Sequence, residues 1–169
     1  WLDISILFKT PFAVFTRTGA YYHDLGKTIQ PKFFVENLLQ GERSPHEDLD
    51  PDVSADAIMA HVVMGTKILR DGGLPEPVVE FAYTHHGTQV VEFFWHKVRE
   101  QGNPKNLTQE HFRYPGMKPQ TKETAILMLV DSIEAASRTI WPPEHKKFEE
   151  MSQRIIFTKL QSGQLDESG

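Results

Sequence analysis

His23 and Asp24 stand side by side in this sequence, His61 follows, then the pair His85 and His86, and finally Asp131. Each is a residue type that can bind a divalent transition metal, through imidazole nitrogen or carboxylate oxygen. Lys27 completes the stretch YYHDLGKT, so a base, a carboxylate and a cation lie within five residues. That combination suits a metal site with a phosphate-binding lysine beside it. The same stretch also fits an ordinary helix end, with Asp24 and Gly26 stopping the helix and Lys27 near its last carbonyls.

The other candidates carry similar pairs of readings. His61 lies among apolar neighbours in DAIMAHVVMG, a setting for a hydrogen-bonded core histidine as much as for a ligand. In THHGT, two adjacent imidazoles would repel if both were protonated, and shared coordination to a cation removes that cost; a helix end with two half-exposed histidines is the plainer alternative. Asp131 follows the apolar run Ala125 to Val130. A carboxylate on such a helix needs a lysine, an arginine or a metal nearby, and a structural salt bridge would also serve. His46, His96, His111 and His145 sit among charges, prolines and polar residues and are expected at the surface. Tyr21, Tyr22, Phe33, Phe34 and Tyr114 could stack on bases or simply fill core.

Taken together, the imidazoles and carboxylates are spread over several helices, which is how helical bundles build metal sites in their interiors. The set is too rich for one metal with open positions. It suggests two ions bridged by a carboxylate, with Asp24 as the natural bridge.

The elements that must hold these residues are helical, without a convincing set of alternating strands. A first helix is predicted over 11–23 and a short helical piece at 33–39. A long helix starts with Asp50 as N-cap and Pro51 at its first position, and Gly72-Gly73 closes it. LPEPVVEFAYTHHG predicts a helix ended by Gly87 with the histidine pair in its last turn. QVVEFFWHKVREQG continues as a helix to Gly102, and residues 103–120 form an irregular excursion. The helix over about 120–140 is apolar nearly all round at its start and should be central. A last helix runs from Pro143 to about Leu160, before a polar tail.

The totals bound the partners. With 18 basic and 23 acidic residues the net charge is −5, which argues against long nucleic acid. The chain has no cysteine, so any metal must be held by imidazole and carboxylate. Its 169 residues suit one all-α domain with a real core.

These motifs resemble the HD-domain metal-dependent phosphohydrolases, whose signature is a histidine, a His-Asp pair and a later aspartate. YYHDLGKT, DPDVSADAIMAHV, THHGT, YPGMKPQTKETAILMLVDSIEAASRT and the tail GQLDESG are similar, more closely, to the cytoplasmic domain of the seven-transmembrane HD receptors, the PgpH-type cyclic di-AMP phosphodiesterases. The resemblance implies an all-α HD-domain helical bundle with two divalent transition metals, iron or manganese, that opens cyclic di-AMP to its linear form. His23, Asp24 and Asp131 would hold one metal. Asp24 would bridge to a second held by His61, His85 and His86, and Lys27 would contact the phosphate. It further implies a single HD domain over 1–169 with an atypical leading segment at 1–12, cut from the C-terminal, cytoplasmic part of a larger membrane receptor. Membrane association would then come only through segments outside this chain, and a homodimer stays open.

The resemblance departs at one point. The family's first metal histidine precedes the His-Asp pair, and none of residues 1–22 is a histidine. Two alternatives stand: an HD-type nucleotidase or triphosphohydrolase, since the His-Asp framework by itself does not fix the substrate, and, with that first histidine absent, a non-catalytic sensor that binds metal and nucleotide.

Overall fold

In the computed structural model, which describes residues 13–169, the fold is carried by α-helices. Six are described: α1 (Ala13–Tyr22), α2 (Pro51–Asp71), α3 (Glu76–Thr84), α4 (Glu92–Glu100), α5 (Lys122–Ser137) and α6 (His145–Gln161). The expected all-α class is the one observed. Among the described residues the one β feature is an isolated antiparallel bridge between Val90 and Arg113. The leading segment at 1–12, and with it the start of the helix predicted over 11–23, lies outside the described residues.

Helix α2 is the spine. Pro51 occupies its first turn, where the missing N–H is no loss. Asp50 stands at the predicted N-cap position, but its side chain accepts from Lys105 Nζ at 2.9 Å instead of capping. Gly72 ends the helix, as predicted. Two small cores lie at its two ends. Ala55 and Met59 pack with Phe94 and Val98 of α4 and with Phe112, while Leu69 packs with Val79 and Ala82 of α3. His61 lies between them, buried at 2% exposure.

Three local expectations change. The helical piece at 33–39 is two separate 3-10 turns, Pro31–Phe33 and Val35–Asn37. Phe34 between them is extended, which turns its buried ring towards His61. Residues 89–91 do not begin a helix: Val91 N–H donates to Phe112 O at 2.7 Å and Tyr114 N–H to Gln89 O at 2.8 Å, so α4 starts only at Glu92. Extended backbone suits the β-branched Val90 and Val91, and the pairing draws the irregular excursion back onto the core. In α5, Ala125, Met128 and Leu129 are buried but Val130 is 48% exposed, so this helix is covered on one side and not all round.

Candidate metal centre

Helix ends aim the histidines. The last turns of a helix leave carbonyls without intrahelical partners, and two of the histidines use them. His23 follows α1 and its Nδ1 donates to Ala20 O at 2.8 Å; His85 caps α3 and its Nδ1 donates to Ala82 O at 2.9 Å. His61, inside α2, donates likewise to Ile58 O at 2.5 Å. With Nδ1 engaged, each ring turns Nε2 inward, the second-partner arrangement that fixes a ligand histidine's orientation.

Glycine brings the His-Asp segment close to α2. After α1 the chain forms a 3-10 turn, Leu25–Ile29, and a Cβ on the buried Gly26 would lie 1.9 Å from His61 O and 2.7 Å from Gly65 N. No side chain fits there, so Gly26 is a contact residue and not only a helix stop.

All six predicted ligands come together. His61, His85 and His86 form one triad, and His23, Asp24 and Asp131 another, the ligand atoms of each lying within 4.8 Å of one another. Asp24 faces both: Oδ1 is 3.5 Å from His61 Nε2 and from His85 Nε2, while Oδ2 is 3.4 Å from His23 Nε2. Asp131 Oδ1 lies 3.5 Å from the same His23 nitrogen. Lys27 Nζ sits beside the cluster, 2.8 Å from Asp24 Oδ2 and 2.7 Å from Glu36 Oε1.

The residues fit metal ions. His23 Nε2 and Asp24 Oδ1 are buried without a hydrogen-bond partner, which is costly for polar atoms. His61 Nε2 and His85 Nε2 lie 3.1 Å apart, close enough to share one proton or to meet on one ion. Donors about 2.1 Å from one ion at right angles lie about 3 Å apart, so this spacing is that of neighbouring ligands.

The charges are arranged to match. Burial works against the ionised form of Asp24, but the adjoining His23 and His85 outweigh it and hold the carboxyl far below its usual range. Burial likewise disfavours charge on His23, yet Asp131 and Asp24 lift its pKa to about 10. Burial, then the nearby His85, pushes His61 down to about 4, and burial drives His86 well below the ordinary imidazole value.

Two residues were not foreseen. His46, expected at the surface, is half-buried: its Nε2 donates to Phe33 O at 2.8 Å and its ring packs against Phe33 and Phe94. Lys159, on the amphipathic α6, is buried at 7% exposure, donates to Gln89 Oε1, and is pushed down to about 8 by burial. His96, His111 and His145 are exposed, as expected. Tyr114 stacks on His86 with ring centroids 4.3 Å apart. A cleft of about 1020 Å³ opens onto Asp24, His61, His86 and Asp131.

The HD domain family model matches residues 11–136, most of the chain and all six clustered side chains. The chain belongs to the HD domain family. This HD domain is 44% identical over 151 residues to "Cyclic-di-AMP phosphodiesterase PgpH" of Bacillus subtilis (strain 168), a match covering 89% of the chain and 21% of the relative. It is 41% identical over 155 residues to the protein of that name from Listeria monocytogenes serotype 1/2a (strain 10403S), covering 92% of the chain and 21% of the relative. The chain thus spans about a fifth of the length of these curated relatives. Among solved structures it is similar to the L. monocytogenes phosphodiesterase PgpH HD domain in complex with cyclic-di-AMP, with TM-score 0.87 and 40% identity, over 92% of this chain and 72% of that one. No described helix is long and apolar enough to cross a membrane.

Proposed function

We propose that this HD domain hydrolyses cyclic di-AMP to the linear dinucleotide with two divalent transition metals, iron or manganese. His61, His85 and His86 would hold one, His23 and Asp131 the other, and Asp24 both. The observation that carries the reading is Asp24, one carboxylate whose two oxygens face two separate triads. The substrate follows from the solved relative's complex with cyclic-di-AMP and from the size of the cleft, at the upper end of the roughly 300–1,000 Å³ usual for ligand sites.

Bound there, the ions would lower the pKa of a water enough for it to serve as hydroxide at neutral pH and would supply positive charge for the phosphate oxygens. The chain's own residues do the rest. Asp24 is kept ionised by the imidazoles around it, so it needs no deprotonation to act as a ligand. Lys27 places an ammonium beside Asp24 at the mouth of the cleft, where it can donate to a phosphate oxygen. Phe33, Phe93, Phe94 and Tyr114 line the cleft and offer aromatic faces to the bases. Within a longer membrane protein the domain would lie on the cytoplasmic side.

The deciding experiment is hydrolysis of cyclic di-AMP with added manganese or ferrous iron, with metal analysis of the same sample and mononucleotides as competitors. Linear dinucleotide from a protein carrying about two metals per chain is expected. Tight binding without turnover would make the domain a sensor, and preferred cleavage of mononucleotides would make it a nucleotidase.

A further inference from the structure

The tail GQLDESG belongs to neither triad, yet its second residue, Gln164, packs against the loop that carries His85 and His86. Past α6 the chain turns back at Gly163 (φ 65), and Gln164 keeps only 3% of its surface exposed. Its Oε1 accepts the Thr88 N–H at 3.0 Å, and its Nε2 donates to Thr88 Oγ1 at 3.1 Å. Five residues earlier, the buried Lys159 donates to Gln89 Oε1. Arg113 Nη1 donates to Thr88 O at 2.7 Å, and the Tyr114 N–H to Gln89 O at 2.8 Å. Thr88 and Gln89 are therefore held from outside, on both backbone and side chain.

The two histidines depend on this clamp unequally. His85 is fixed from upstream, by its N–H to Phe81 O and its ring to Ala82 O. His86 is followed by Gly87 at φ 57, a left-handed turn. A Cβ on Gly87 would fall 2.2 Å from Gln164 Oε1, so the Gln164 amide fills the space directly over the turn. Removing that amide would leave the half-buried Thr88 N–H without its partner and free a glycine hinge one residue from a proposed ligand.

We propose that Gln164 and Lys159 are positioning residues: the C-terminal helix and tail lock Thr88 and Gln89 and thereby fix His86 for metal binding. The proposal rests on reading His61, His85 and His86 as a metal triad, and its test measures metal binding apart from hydrolysis. Partners of this outer kind contribute about 10–100-fold to metal affinity.

The metal-free protein is titrated with Co²⁺ and followed by visible absorption, which resolves the two binding steps. Gln164→Ala is expected to weaken one step by about 10–100-fold and leave the other unchanged; Lys159→Met weakens the same step by less. In a His86→Ala background, Gln164→Ala should add no further loss, because its effect acts through His86. General loosening of the fold would add its loss in both backgrounds. Unchanged binding, equal weakening of both steps, or a loss that persists without His86 would overturn the proposal. If Gln164→Ala does not fold by circular dichroism, Thr88→Val, which removes the hydroxyl that Gln164 reaches, takes its place under the same criteria. Failure to hydrolyse cyclic di-AMP would leave these binding steps readable, so the two readings fall separately.

Discussion

His61 and His85 point Nε2 at Nε2 across 3.1 Å, although each ring already donates its Nδ1 proton to a backbone carbonyl. The pair can share one proton at most, and Asp24 Oδ1, 3.5 Å from both nitrogens, is buried without a hydrogen-bond partner, so the metal-free site is under-satisfied and a bound cation would satisfy it. Metal loading should therefore stabilise the protein markedly, by about 2.7 kcal/mol at a hundred times the dissociation constant for each site. Thermal melts with manganese and after chelation read this out. His61→Ala should lose much of the shift, whereas an equal shift in that variant would place the stabilising ion elsewhere.

Asp24 and His86 should separate when metals are counted. Asp24 turns an oxygen to each triad, so Asp24→Ala is expected to lose both ions and all hydrolysis. His86 belongs to one triad, and His86→Ala should mainly weaken one ion. Elemental analysis of the purified variants checks this. Full activity in Asp24→Ala would sink the two-metal reading.

Proton release distinguishes His23 from His61 and His86. His23 is held at about 10 and therefore carries a proton at neutral pH, which a metal must displace. His61, at about 4, and His86, well below the ordinary value, have none to lose. Calorimetric titration at pH 7 in buffers of different protonation enthalpy should show about one proton released with the His23 site, and that site's affinity should rise about tenfold per pH unit until pH nears 10. The sign for metal-free stability is opposite. A raised imidazole pKa stabilises the fold fully below the unfolded value of about 6.5, and that contribution is lost as pH climbs towards 10.

The six clustered positions were legible in the sequence because each is a costly residue in its setting: an imidazole in an apolar helix, adjacent imidazoles, a carboxylate after an apolar run. Helix ends were legible where Pro51 and Gly72 mark them. The rest depends on partners distant in sequence. His46 has polar neighbours along the chain but packs against Phe94, and Lys159 lies on an amphipathic helix and reaches Gln89. Neither contact leaves a local signal. Residues 89–91 were misread for the same reason, since Phe112 and Tyr114 supply the pairing that keeps them extended.

Phe112 is the side chain on which that pairing rests. It has no exposed surface and packs with Phe94 and Val98, while its carbonyl accepts Val91 N–H. Phe112→Ala should cost about 3–5 kcal/mol by removing a buried ring that its neighbours cannot replace. Denaturant unfolding measures it. A cost below about 1 kcal/mol would mean that the excursion is not held by this core.

His46 should affect substrate and not metal. Its Nε2–H is committed to Phe33 O, and its Nδ1 is buried without a partner among the described residues. The ring lines the cleft between Phe33 and Phe94, on the side offered to the bases. Under the proposed function the bond to Phe33 O positions Phe33 as a face for a base. His46→Leu keeps the packing volume and removes that bond. Under the proposed function it should raise KM for cyclic di-AMP by about two- to tenfold, the weight of one net hydrogen bond, with kcat and metal content little changed. A lowered melting temperature with unchanged KM would instead make His46 a packing residue with no part in placing substrate.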